Sequence, residues 1–366
     1  MAAMIATSSS LIDECLRRAR QLVGVELDRT LRQKNLEASR SAIKRYAYGI
    51  GDDNPLWCDQ QYAGKTRYGR IVAPPTFIFS VDDTAFSEPR VPGLILLHAE
   101  DEIEFFRPIL VDDQLTSRCR IVHVEEKRGT RVPRMVLLVG ELEYLISTTY
   151  EVVARVFATK LRMPRSNNDG GLNYGKRAPH EYSESELEAI RQDILSEERR
   201  GAVPRYWEDV KVGDGIRPIV KGPLSLRDMI CYYAGNGVAP EIYRAHELAY
   251  KGAYLDPPKH IDSSLAYEVG MPGAYDIGHQ RVGWMGHLLT NWMGDAGFLK
   301  RLRLRISRPN IFGDTTWCRG KVVDKYLAGG ENLVDCEIWA ENQLGERTAF
   351  GQATVILPSR DADTQP

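Results

Sequence analysis

Residues 107–122 read RPILVDDQLTSRCRIV, and residues 308–323 read RPNIFGDTTWCRGKVV. Each opens on Arg-Pro, places an Asp six residues on (Asp113 and Asp314), and reaches a valine nine further on (Val122 and Val323) in a β-rich pattern. A repeat at this distance sets the organisation of the chain before any single motif does. Upstream, NPLWCDQQYA (54–63) aligns without gaps on PPKHIDSSLA (257–266): Pro55 on Pro258, Asp59 on Asp262, Ala63 on Ala266, and Trp57 on His260. From that Ala to Arg-Pro the chain runs 44 residues in the first copy and 42 in the second. Two blocks at matching separation identify a duplication.

The copies share a layout. A short helix comes first, within SRSAIKRYAYGIGD, where Ser39 or Ser41 can cap, and within LSLRDMICYYAG in the second copy. A polar turn and a second helix follow. Alternating strands close each copy: LTSRCRIVHVEEK, RMVLLVGELEYL and YEVVARVFATKL, then CRGKVVDKYL, ENLVDCEIWAE and RTAFGQATVIL. Helices early and antiparallel strands late make an α+β domain. The expected division is 1–163, a linker over 164–204 and a second domain over 205–366. The linker region is rich in Gly, Asn, Pro and charge and carries one solvated helix, SESELEAIRQDILSEERR. The second copy has an extra segment between Gly237 and Leu255, expected to be helical.

Composition narrows the function classes. With 43% hydrophobic residues, 27% charged and a net charge of −2, the chain reads as a globular protein with sizeable cores and no nucleic-acid or anionic-membrane partner. The six cysteines form no CxxC pair and no Cys/His cluster, which speaks for reduced thiols and against a zinc site. No apolar run is long enough to span a bilayer, and the N-terminus lacks a secretory pattern, so the expected location is cytoplasmic. Its glycine pairs, and the GDG at 213–215, read as turns rather than a nucleotide-binding loop.

The run from Tyr46 to Leu56, YAYGIGDDNPL, resembles the hydratase motif of MaoC-like dehydratases and (R)-specific enoyl-CoA hydratases: aromatic, small, Gly-Asp-x-Asn-Pro-aliphatic-His, then Ala. RPxxxxD is similar to the RPV..GD segment of the same proteins. The resemblance implies two fused hot-dog domains, each a curved antiparallel sheet wrapped around a long central helix, the first a FAS1-like dehydratase domain. It also implies an Asp and a His flanking the Cα=Cβ bond of an acyl thioester, and a backbone N–H at the start of the central helix holding the thioester carbonyl. Adding water across that bond builds charge on the carbonyl oxygen and moves two protons, which is why a preorganised donor and acid–base groups are needed.

Copy one keeps Asp52 and Asn54 but has Trp57 in the His position, and an indole N–H cannot shuttle a proton. Counting ten residues from the matched Ala places Ala73 on Asp276 and Pro75 on Gly278. Copy one's central helix, expected from VAPPTFIFSVDD (72–83), thus starts at a residue without an N–H. Copy two has His260 and Gly278, and YDIGHQRVGWMGHLLTNWMG (275–294) supplies its long helix, with Val282, Met285, Leu288, Leu289 and Trp292 as an apolar stripe. The family Asp position holds Leu255; Asp256 follows it, and Asn236 occupies the Gly-Asp slot once the insertion is skipped.

The catalytic set expected is therefore His260, Asp256 and the Gly278 amide, with Asn236, Tyr275, Arg281, Asp52, Asn54 and Trp57 binding substrate. Trp57, Phe77 and Phe79 are expected to line an acyl tunnel in copy one. Asp59, Asp262, Asp113 and Asp314 read as caps or turn formers, Asp276 as the cap of the central helix, and His279 and His287 as packing or pocket-lining residues. Arg281 needs an anionic partner: a substrate carboxylate, a coenzyme phosphate or an internal Asp. No metal or redox cofactor is expected beyond the coenzyme A or carrier-protein thioester itself, and a homodimer stays open. A thioesterase on the same fold, or an acyl-binding subunit without turnover, is the alternative reading.

Overall fold

A computed structural model of the chain describes residues 7–30, 32–86, 88–165, 171–237 and 259–360. Asp256 and the segment between Gly237 and Leu255 expected to be helical lie outside the described residues. In the first copy, α1 (Ser8–Gln21) precedes α2 (Arg40–Gly49), which Ser39 caps through its side chain. Two one-turn helices, α3 (Pro55–Cys58) and α4 (Gln60–Ala63), follow; then a 3₁₀ turn (Pro75–Phe77) runs into α5 (Ile78–Val81). Strands β1 (Leu94–Phe105), β2 (Leu115–Lys127), β3 (Met135–Ile146) and β4 (Val152–Pro164) complete it. After α6 (Glu184–Leu195), the second copy comprises β5 (Gly215–Lys221), α7 (Leu226–Asn236), α8 (Ser263–Glu268), the central helix α9 (Gly278–Met293), and β6 (Phe298–Ile306), β7 (Thr316–Ala328), β8 (Glu331–Asn342) and β9 (Arg347–Ile356).

All nine described strands join one antiparallel sheet in the order β2-β3-β4-β1-β6-β9-β8-β7-β5. The copies meet edge to edge where β1 pairs β6, Ile103 facing Leu302. That pairing removes the two strand edges that separate domains would expose. The initial helices of the copies also cross each other closely. A Cβ at Gly235 would overlap the Arg45 carbonyl, and one at Gly49 would come within 2.9 Å of the Cys231 carbonyl. Only glycine at both crossings lets the backbones approach this far.

The repeat is visible atom by atom. Asp59 and Asp262 each accept from the amides two and three residues on, capping α4 and α8. Asp113 accepts from the Leu110 amide, and Asp314 from the Ile311 amide. Equivalent bridges, Val72 with Leu110 and Tyr275 with Ile311, hold the strand before each central helix. The 3₁₀ turn therefore starts at Pro75 where α9 starts at Gly278.

From there the copies diverge. Every residue of α9 after Gly278 is buried, and the helix packs on β5, β6 and β7. Its counterpart in copy one is cut to two short turns, not the long helix expected. The chain leaves them at Asp82, whose backbone is extended and whose carboxylate accepts from Arg29 and Ser117. The linker helix α6 is capped by a Ser183–Glu186 capping box and is exposed apart from Ile190. The linker before it is tied to copy two: Tyr174 and Arg177 amides donate to Gly270 and Pro272, and Arg177 pairs with Asp314. All six thiols are free, and no described helix is long and apolar enough to cross a membrane.

Candidate active site

A cavity of about 340 Å³ lies between the N-terminus of α9 and the wall formed by β1 and β4. Its size falls within the range of small-molecule sites. His260, Asn236, Tyr275 and Gly278 all line it, so four residues that the sequence places far apart share one space. The His260 ring meets that of Tyr275 at a tilt of 54°, centroids 4.3 Å apart, and its Nδ1 lies 2.9 Å from the Tyr275 carbonyl. A carbonyl only accepts, so Nδ1 carries a proton. In the neutral ring the lone pair then sits on Nε2; in the charged ring Nε2 donates.

Gly278 begins α9, where backbone amides have no partner within the helix. The preceding residue, Ile277, makes no side-chain cap. Asp276, read from sequence as that cap, is engaged elsewhere. It takes Nε and Nη2 of Arg281 and the amide of Asn310. Arg281, 1% exposed, gives Nη1 to the carbonyls of Arg308 and Thr348, both at 2.8 Å. Of the three anionic partners open to Arg281, the structure places the internal Asp. The uncapped helix end, with its positive dipole, faces the cavity. Asn236 ends α7, is 6% exposed and leaves Oδ1 without a hydrogen bond among the described residues.

Copy one's motif residues sit apart. Asp52 is buried and accepts from the Asn54 amide at 3.0 Å and from the Trp57 indole at 2.8 Å. His287 approaches the same carboxylate at 3.7 Å, donates to Glu197 of the linker at 2.8 Å, and meets Lys221 through Nδ1. Burial pushes the Glu197 carboxyl up, but His287 and Lys221 outweigh it and bring it down to about 2. Trp57 and Asn54 line a separate cavity of only about 40 Å³. Phe77 and Phe79 are wholly buried in the core. None of these three aromatics lines the larger cavity, whose apolar lining includes Leu97, Leu161, Met163 and Leu172.

Sequence reading passed over a polar group on the opposite wall. His98 and Asp101 of β1, Lys160 of β4, Thr84 and His279 form one network. Lys160 donates to Thr84 Oγ1 at 2.8 Å, and Thr84 donates to Asp101 at 3.2 Å. His279 also meets Thr84, and His98 Nε2 lies 2.9 Å from Asp101. Burial brings the Lys160 ammonium down to about 8, against the pull of Asp101 and Asp83. Ligand-type atoms of His98, Asp101 and His279 lie within 4.8 Å of one another, a set that could hold a cation. Lys160 already places a positive charge against Asp101, and a second cation there would meet its repulsion.

Residues 21–155 match the family model of the FAS1-like dehydratase domain region. A UPF0336 protein of Streptomyces griseus is 30% identical over 102 residues, 26% of this chain and 68% of the relative. A second, from Streptomyces avermitilis, is 28% identical over 130 residues, 32% of this chain and 85% of the relative. A solved MaoC-like dehydratase superposes with a TM-score of 0.67 at 20% identity, covering 93% of this chain and 99% of its own. The chain belongs to the UPF0336 family. By fold it is a double hot-dog protein, like a conserved hypothetical protein of Mycobacterium tuberculosis described as having that fold (TM-score 0.53, 13% identity, 87% of this chain and 92% of that one). The FAS1-like region is the first copy, the half with Trp57 and the shortened helix.

Proposed function

We propose that this protein hydrates a 2-enoyl thioester to the 3-hydroxyacyl thioester, or runs the reverse dehydration, on coenzyme A, at one site in copy two. The observation that carries this reading is the opening of His260 and the uncapped start of α9 into the same cavity. In hydration the thioester carbonyl sits at the Gly278 amide, which meets the negative charge as it develops on oxygen. His260 gives Cα its proton through Nε2, and takes it back in dehydration. Asn236 orients the water through its unpartnered Oδ1 but cannot take its proton. Leu97, Leu161, Met163 and Leu172 hold the acyl chain.

The test is loss of enoyl absorbance across a chain-length series of trans-2-enoyl-CoAs. His260→Gln is expected to lower kcat on the order of 10²-fold, as loss of a general acid–base group does. Unchanged kinetics in that variant would remove the proposal. A second reading, an acyl-binding protein without turnover, draws on the amide of Asn236 where the hydratase motif has a carboxylate. Saturable binding of enoyl-CoA with no consumption by the wild type would decide for it.

A further inference from the structure

Hydration moves two protons, and copy two's own described motif residues supply one proton-handling group. The wall opposite His260 carries an imidazole that the reaction above does not use. His98 sits where the pairing of β1 with β4 slips, between His98 and Glu100. Such a bulge re-aims side chains beside functional sites. Its ring lies against Gly278, so closely that a Cβ at 278 would overlap Nδ1. Among the described residues neither of its ring nitrogens makes a hydrogen bond, and neither does Asp101 Oδ2. The 2.9 Å approach of Nε2 to Asp101 is thus close but off line. Behind it, Asp101 is fully buried and held through Thr84 by Lys160. A carboxylate fixed from the rear, 2.9 Å from Nε2, favours by its charge the tautomer protonated on Nε2, which leaves the Nδ1 lone pair beside the helix start.

We propose that His98, contributed by copy one, is the second acid–base residue of the copy-two site, with Asp101 as its positioning residue. The assignment rests on the hydratase reading. In hydration, His98 Nδ1 takes a proton from water as the water oxygen bonds to Cβ. The π pair moves through Cα onto the thioester oxygen, held by the Gly278 amide. As that pair returns, Cα takes a proton from charged His260. The proton gained at 98 and the one lost at 260 are exchanged with solvent between turnovers, so the net change is one water added. Burial holds His98 below the ordinary histidine range, Asp101 opposing it, with Lys160 and Arg281 pushing the same way as burial. The ring is therefore neutral at neutral pH, as a base must be.

The experiment uses the full chain with trans-2-butenoyl-CoA and longer enoyl-CoAs, and reads binding separately with saturated butanoyl-CoA. His98→Gln is expected to lower kcat on the order of 10²-fold and to remove the acidic limb of its pH profile, with saturated acyl-CoA binding unchanged. His260→Gln should remove the other limb. Asp101→Asn, the milder change should the first variant fold poorly, should lower kcat less and move the acidic limb to lower pH, because the imidazolium loses its counter-charge. A purely structural role for either residue would not move that limb. Turnover that falls in His260→Gln but keeps its rate and profile in His98→Gln would overturn this inference alone. So would activity lost on chelation and restored by a divalent metal. A wild type that consumes no enoyl-CoA would remove the hydratase reading, and this inference with it.

Discussion

Arg281 and Asp276 offer a sharp test of whether the guanidinium beside the cavity serves the fold or a substrate anion. Arg281→Met keeps most of the buried aliphatic volume but strips the guanidinium and its four hydrogen bonds. Asp276 is left as a buried carboxylate, and the Arg308 and Thr348 carbonyls lose their donor. Breaking a buried ion pair by removing one partner costs about 3–5 kcal/mol. At ~2–4 °C per kcal/mol for a domain of this size, the melting temperature should fall by roughly 6–20 °C. Burial is the largest influence on Asp276 and already outweighs Arg281, holding its carboxyl above the ordinary range. A carboxyl raised in the folded state penalises folding above its pKa, and the penalty fades as pH falls through that value. The Arg281→Met deficit should therefore shrink on acidification, and adding Asp276→Asn should recover much of it, since the neutral pair leaves no buried charge. Denaturation of the two single variants and the double variant, with KM for an enoyl-CoA measured alongside, gives the answer. An Arg281→Met variant that melts like the wild type but shows a raised KM uncorrected by Asp276→Asn would refute the structural assignment.

Two further outcomes follow from buried groups. Trp57→Phe removes the indole donor from Asp52 and leaves Oδ2 of a buried carboxylate underbonded, so stability should fall by about 1–3 kcal/mol in chemical denaturation. Chain-length preference should stay unchanged, because Trp57 lines the smaller cavity; a shifted preference would contradict that placement. Lys160 titrates near 8 in the fold against 10.5 for an ordinary lysine, so its ammonium opposes folding below 8 and the opposition fades as pH rises between those values. The stability difference between Lys160→Met and wild type should drift by ~3 kcal/mol across that window, and a flat difference would contradict the assignment.

The strands and the duplication were legible because they rest on local rules. Alternating apolar residues set β2, β3 and β4 close to their observed bounds, and Asp59 and Asp262 cap by short-range geometry that a repeat makes plain. What escaped is non-local. β1 reads LILLHAEDEIEF, acid-rich enough to pass for a solvent-facing strand. Its Asp101 is nonetheless wholly buried because Thr84, Lys160 and His98 converge on it from other parts of the chain. Copy one's central helix was expected from an apolar run, yet it ends at Asp82, whose carboxylate is claimed by Arg29 and Ser117. Asp276 looked like a cap because Asp before a helix usually is one, but a buried guanidinium five residues on is the stronger claimant.

The asymmetry of the copies has a physical logic. With Trp57 where copy two has His260, the buried carboxyl of Asp52 takes its donors from other groups. The indole and the Asn54 amide supply them, and His287, 3.7 Å from the same carboxylate, pairs with Glu197 of the linker. The first motif has thus become part of the clamp that joins linker, copy one and α9. Copy one gives back a wall: β1 and β4 close the cavity over the start of the partner copy's helix, and a β-bulge turns His98 towards it. Each half thereby holds something the other lacks. The second half expressed alone would keep His260 and Gly278 but lose the far side of their cavity, along with the strand that covers the β6 edge.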